Sequence, residues 1–170
     1  MDQVRYTPIG YISSPFTKPE GMPIQPAGAE NVKGEVILKE EYTAGLKDLE
    51  GFSHIILLCH FHLSSGFELE VVPFLDETLR GVFATRAPRR PNPIGLSVVK
   101  LTEIHDNVLH IENLDIVDGT PVLDIKPYVP GFAGEENVRT GWLEQTDEEQ
   151  FNRKSDDRFR SDREASGQSD

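Results

Sequence analysis

The stretch Arg86–Gly95, RAPRRPNPIG, holds three arginines, three prolines and a closing glycine, with no acid among them. Guanidinium groups on a fixed frame suit bidentate contacts to phosphate or carboxylate. Pro88, Pro91 and Pro93 each fix φ and disfavour helix in the residue before. The segment is therefore stiff and extended, and little entropy is left to lose when it grips a partner. Asn92 adds a donor and an acceptor, and Gly95 permits close backbone approach. On chemistry alone this is an anion-binding or RNA-binding loop. The chain around it is acidic, with a formal net charge of -12 over 170 residues, so the surface as a whole repels nucleic acid. The window from Arg80 to Lys100 is the exception, carrying Arg80, Arg86, Arg89, Arg90 and Lys100 without an Asp or Glu.

A second group of chemically capable residues lies on either side. His60 and His62 stand two apart on one expected strand and so share a face, with His54 added if the strand runs straight. Two histidines with Asp115 or Asp124 could ligate a metal, but no spacing in the chain supports such a centre. Polar contacts near a pocket, or packing at a strand end, is the better reading, and no metal is expected. Asp115, Asp118 and Asp124 cluster around a DGTP turn. An Asp-Gly pair is a common turn signal, which explains Gly119 but not the number of carboxylates. Asp124, Lys126 and Tyr128 fall on one strand face, either a solvated face or a functional one. No glycine-rich nucleotide loop follows a strand, and no serine sits in a nucleophile elbow. The lone cysteine, Cys59, lies within an apolar strand and reads as an inert buried thiol.

The elements that must hold these groups are short strands. Lys33–Tyr42, Phe52–His62, Gly81–Arg86, Leu96–Ile104, Val108–Val117 and Pro121–Val129 are β-rich runs separated by Gly, Pro, Asp and Asn, the pattern of an all-β sandwich or barrel. The apolar centre of Phe52–His62 suggests a strand buried on both faces. HDN at His105–Asn107 reads as a hairpin turn, and Glu41–Gly51 has room for one or two helical turns. One domain over residues 1–145 is expected. From Thr146 the composition is charged and polar, too poor in apolar residues to offset its ordering entropy. Residues 146–170 are therefore expected to form a largely disordered tail, the alternative being a short helix from Asp147 to Arg153. A single cysteine excludes an internal disulfide and fits a reducing cytoplasm. The first residues do not read as a signal peptide, and the longest apolar stretch, Ile55–Cys59, is too short to span a membrane.

The segments IGYISSPF, PIQPAG (Pro23–Gly28), LEGFSHIILLCHFH, GVFATRAPRRPNPIGLSVVKL and DIVDGTPVLDIKPYVP occur in this order between Ile9 and Pro130. Together they resemble the TsaA-like family of tRNA methyltransferases. The resemblance implies a small, mainly antiparallel β-barrel that binds S-adenosylmethionine and works as a homodimer. It implies methylation of N6 of threonylcarbamoyladenosine beside the tRNA anticodon. The cofactor site it implies comprises Gln25, Pro26, Ala27, His62, Leu63, Arg86, Leu96 and the turn Val117, Asp118, Gly119, Thr120, with Asp118 at the cofactor's cationic or ribose end. Arg89, Arg90 and Asn92 would meet the RNA, with Lys126 on phosphate. Asp124 is the candidate acceptor for the amine proton, and Tyr128 the second candidate. The chain departs from the family's bacterial form in ending in a charged tail rather than a further domain, and in carrying Ile24 where arginine is frequent. Two rival readings are an S-adenosylmethionine sensor without methyl transfer and a metal-dependent hydrolase built on His60, His62 and an aspartate.

Overall fold

The computed structural model describes residues 3–23, 28–130, 140–145 and 155–156. Six strands close into an antiparallel barrel: β1 (Gly10–Ser13), β2 (Lys33–Leu38), β3 (His54–His60), β6 (Ile94–His105), β7 (Val108–Glu112) and β8 (Pro121–Pro127). Their order around the barrel is β1-β2-β7-β6-β3-β8, and β8 pairs back onto β1. Two-residue strands β4 (Glu70–Val71) and β5 (Arg80–Gly81) pair with each other outside it.

Alternation sets which residues fill the interior. Along β3, Ile55, Leu57 and Cys59 are buried, while His54, Ile56, Leu58 and His60 line the outer face. On β6, Ser97, Val99 and Leu101 point inward. The β6 register shifts against β7 between Leu101 and Glu103, the kind of irregularity that lets a long strand bend around a small barrel. The β6–β7 hairpin turns through Asp106, which adopts a left-handed φ of 52°.

All six expected runs differ in extent, two of them slightly: Leu96–Ile104 is the longer Ile94–His105, and Pro121–Val129 stops at Pro127. Lys33–Tyr42 stops being a strand at Leu38, because Glu40–Leu46 coils into a 3-10 turn whose Leu46 caps the core. The strand expected over Phe52–His62 ends at His60, so His62 lies in the turn beyond it. Gly81–Arg86 is a 3-10 turn over Val82–Ala84 rather than a strand. Val108–Val117 stops at Glu112, and residues 113–120 cross one end of the barrel with Leu114 and Ile116 buried in its core.

That end is the mouth. β3 ends there, β6 and β8 begin there, and the excursion 61–93 stands over it. The excursion has its own small core of Val71, Val82 and Ala87, and an Asp76–Arg80 ion pair at 2.7 Å braces it. Trp142, in the 3-10 turn Gly141–Gln145, donates its indole N–H to Ala84 O at 2.8 Å, and Arg80 lies over its ring. The tail expected from Thr146 lies outside the described residues except at 155–156. There Ser155 N donates to Met22 O and Gly21 N donates to Ser155 O, each at 2.9 Å. Among the described residues no helix is long and apolar enough to cross a membrane.

Candidate active site

At the mouth a half-buried carboxylate, Asp115, stands beside two buried hydroxyls, Ser97 and Thr120. Asp115 lies between the buried Leu114 and Ile116, and its Oδ1 accepts a 2.7 Å hydrogen bond from Ser97 Oγ. Ser97 is itself buried, on the inner face of β6. Burial raises the Asp115 carboxyl to about 6, against the opposing pull of the Ser97 hydrogen bond and the Arg86 charge. The neighbouring Cys59 thiol is pushed up to about 12, first by burial and then by the Asp115 charge. It is therefore a neutral packing group, as the apolar strand suggested. Asp115, Ser97, Cys59 and Arg86 thus form one electrostatic unit, assembled from the crossing segment, β6, β3 and the excursion.

The three arginines of the basic loop have different surroundings. Arg86 is exposed, and its charge acts on Asp115. Arg89 pairs with Glu68 at 2.8 Å, and its Nε is buried without a hydrogen-bond partner. Arg90 turns inward. One terminal nitrogen donates to Val82 O, Thr85 O and Ala87 O at 3.2, 2.9 and 3.3 Å, and the guanidinium lies 5.9 Å from the centre of the Phe83 ring. Thr85 Oγ1 accepts from Ala87 N at 3.2 Å and tightens the same turn. Asn92 is exposed, and its carbonyl accepts from Ile94 N at 2.8 Å where β6 begins.

The turn Val117–Thr120 is built against the loop after β1. Ser14 N donates to Asp118 Oδ1 at 2.9 Å, and Asp118 N donates to Phe16 O at 2.7 Å. Gly119 has a φ of 71°, which an L side chain rarely adopts, and its N–H donates to Ile12 O at 2.8 Å. Thr120 is buried, and its hydroxyl donates to Val117 O at 2.7 Å. His62 stands in the turn after β3. Burial, and secondarily His60, hold its pKa below the usual imidazole value, so the ring is neutral at pH 7. Leu63 beside it and Leu96 on the outer face of β6 are both about half exposed.

The remaining candidates point elsewhere. Asp124 and Lys126 lie on the outer face of β8, paired in register with Leu58 and Ile56, and they bridge each other at 2.7 Å. Asp124 also helps to wall a groove at the opposite end of the barrel with Tyr42, Leu49 and Phe52. Tyr128 meets His54 edge-on at that end, with ring centres 6.3 Å apart. Within one chain His62, Arg86 and the Asp118 turn thus belong to segments at the end of the barrel where β3 ends and β8 begins, whereas Asp124 and Lys126 lie on the outer face and Tyr128 at the opposite end. Gln25, Pro26 and Ala27 lie outside the described residues. No group of three or more His, Cys, Asp or Glu that could hold a metal ion occurs among the described residues.

Sequence reasoning passed over Ser97 and the inward turn of Arg90, and it counted Asp115 among clustered carboxylates and as a conceivable metal ligand, not as the partner of Ser97. Ser97 did leave a signal, since it is a hydroxyl at an inward position of an otherwise apolar alternation.

Residues 11–133 match the family of tRNA-methyltransferase O N-terminal domains. A probable S-adenosyl-L-methionine-binding protein of Pyrococcus abyssi is 53% identical over 154 residues, covering 91% of this chain and 84% of that protein. The tRNA (adenine(37)-N6)-methyltransferase of Escherichia coli is 41% identical over 140 residues, covering 76% of this chain and 60% of the enzyme. The crystal structure of TrmO from Pseudomonas aeruginosa superposes with a TM-score of 0.69 at 39% identity, covering 82% of this chain and 62% of that one. The chain therefore spans about three fifths of these two bacterial proteins.

Proposed function

Because the chain belongs to the family of tRNA-methyltransferase O N-terminal domains, we propose that it methylates tRNA with S-adenosylmethionine, at N6 of an adenine. Threonylcarbamoyladenosine beside the anticodon is the form of that adenine we favour. The observation that carries the reading is the mouth itself, where a proline-braced basic loop accompanies a half-buried carboxylate at the end of the family's barrel. The donor set suits a small cationic cofactor approached by a polyanion. Asp115 brings a half-buried carboxylate, and Arg86 is exposed.

S-adenosylmethionine, when bound, supplies an electrophilic methyl group on a sulfonium. The protein's share of the work is alignment, which can lower a barrier by roughly 7–11 kcal/mol. Arg86 would hold RNA phosphate at the rim. The acidic remainder of the surface would repel RNA elsewhere and so orient it. Neutral His62 is able to accept or donate a hydrogen bond beside the target base. A base in a loop can be splayed into the mouth without melting a duplex. The work would take place in the cytoplasm, where tRNA is available.

Asp124 and Tyr128 can serve as proton acceptors only if a second copy of the chain brings them to a mouth. The outer face of β6, β3 and β8 has apolar residues to bury, with Ile94 and Leu96 each more than 40% exposed. We infer a homodimer through this face. Full activity from a species that sediments as a monomer would remove both residues from the reaction.

The deciding experiment is methyl transfer from labelled S-adenosylmethionine to tRNA lacking the modification, followed by mass spectrometry of the nucleosides. A product heavier by one methyl on an N6-modified adenosine is the expected result. Tight cofactor binding with no label in any tRNA would instead favour a binding protein without transfer. The name of the Pyrococcus abyssi relative keeps that reading in view.

A further inference from the structure

We propose that Asp115 is the counter-charge for the sulfonium of the methyl donor, so that the mouth binds the charged donor in preference to its neutral thioether product. The inference rests on the methyltransferase reading and adds a discrimination that the reading does not require. Asp115 is seated among Leu114, Ile116, Cys59 and Ser97, an environment that penalises an anion. The hydroxyl of Ser97 orients the carboxylate but brings no charge. Arg86 is the cation whose charge acts on it, and Arg86 is exposed, so solvent screens its pull. A half-buried carboxylate whose one side-chain hydrogen bond comes from a neutral hydroxyl is incompletely compensated within the chain itself. A ligand bringing a positive charge against it would relieve it, whereas a neutral ligand would gain nothing there and an anion would be repelled.

The charge balance of methyl transfer gives this arrangement a use. The C–S bonding pair stays with sulfur, which becomes a neutral thioether. The new C–N bond takes the amine's lone pair, and the amine's proton passes to solvent or to an acceptor. The positive charge facing Asp115 therefore disappears with the reaction, and so does the attraction that held the donor. The same carboxylate that selects the donor favours exchange of the product.

Calorimetry with S-adenosylmethionine and S-adenosylhomocysteine tests this directly, because the two ligands share every group except the methyl and the charge on sulfur. Asp115→Asn should weaken the donor about 10- to 100-fold and the thioether less than about threefold. In the unaltered protein the donor should bind more weakly as pH falls from 8 to 5, while the thioether changes little. Of the groups acting on Asp115, the Cys59 thiol stays neutral across that range, and Arg86 brings a guanidinium. His62 also titrates at the mouth, but it would act in Asp115→Asn as well, so loss of the pH response in that variant assigns it to Asp115. Equal weakening of both ligands by Asp115→Asn, or no weakening of either, overturns the proposal. So does a pH response common to both ligands, which can be read without any variant. An unaltered protein that binds neither ligand would instead fell the methyltransferase reading beneath it.

Discussion

Replacing Arg90 with alanine should destabilise the excursion over the mouth by about 2–4 kcal/mol, the cost of stranding partly buried carbonyls that a charged donor had satisfied. The side chain joins three carbonyls, those of Val82, Thr85 and Ala87, into one turn. Val82 and Ala87 belong to the excursion's own small core, so the loss should be local. Hydrogen exchange should show residues 61–93 losing protection while the β3 and β6 amides keep theirs. Arg90→Lys should recover little, because an ammonium lacks the planar group that covers the Phe83 ring. This outcome differs from what the sequence suggests, which is that Arg89 and Arg90 both meet RNA. An Arg90→Ala protein with unchanged protection and weakened tRNA binding would restore that suggestion.

The second large effect belongs to Gly10, where β1 is wedged between β2 and β8. A Cβ placed there would press on the Ile37 carbonyl oxygen and come within 2.9 Å of Leu38 Cα and 3.0 Å of Ile37 C. All three are backbone atoms of the paired strand, so no rotamer change can make room. Gly10→Ala should therefore cost about 3 kcal/mol, at the upper end for overpacking, and lower Tm by roughly 10 °C. Gly81→Ala is the matched control, since a Cβ at Gly81 meets nothing within 4 Å. A Gly10→Ala protein that melts within 2–3 °C of the control would show that β1 can move aside. At Gly95 the obstruction is the Phe61 ring, with its nearest atom 2.5 Å from the added carbon. A side chain can shift where a backbone cannot, so the cost at Gly95 should be smaller.

The barrel strands other than β1 could be read from the sequence because they are β-rich runs whose boundaries carry turn residues. β1 could not, since four residues including a glycine give too weak a local preference. It exists because β2 and β8 flank it. The basic loop was legible as a rigid cationic segment, but which arginine turns inward was not. That depends on where the Val82–Ala87 carbonyls lie, which is settled by tertiary structure. The pairing of Ser97 with Asp115 was hidden for a similar reason. Asp115 sits in an irregular crossing segment, where no periodicity says which way a side chain faces. Placing His62 on the strand face of His60 failed because β3 ends at His60, and the composition of a strand end does not mark its last residue. At the charged C-terminal end, the seated Ser155 shows one described point held by backbone pairing, which composition does not foresee.

The barrel's closure has a temporal side. β1 meets β2 through four residue pairs but meets β8 through only two, Gly10 with Val122 and Tyr11 with Pro121. On the ribosome β1 and β2 can zip together once Leu38 has emerged, while the second edge of β1 waits for a strand translated far later. Until that strand arrives the nascent sheet offers an unpaired edge to any other growing chain. The final two-pair junction is then a long-range contact between the beginning and the end of the barrel, the slow kind to find.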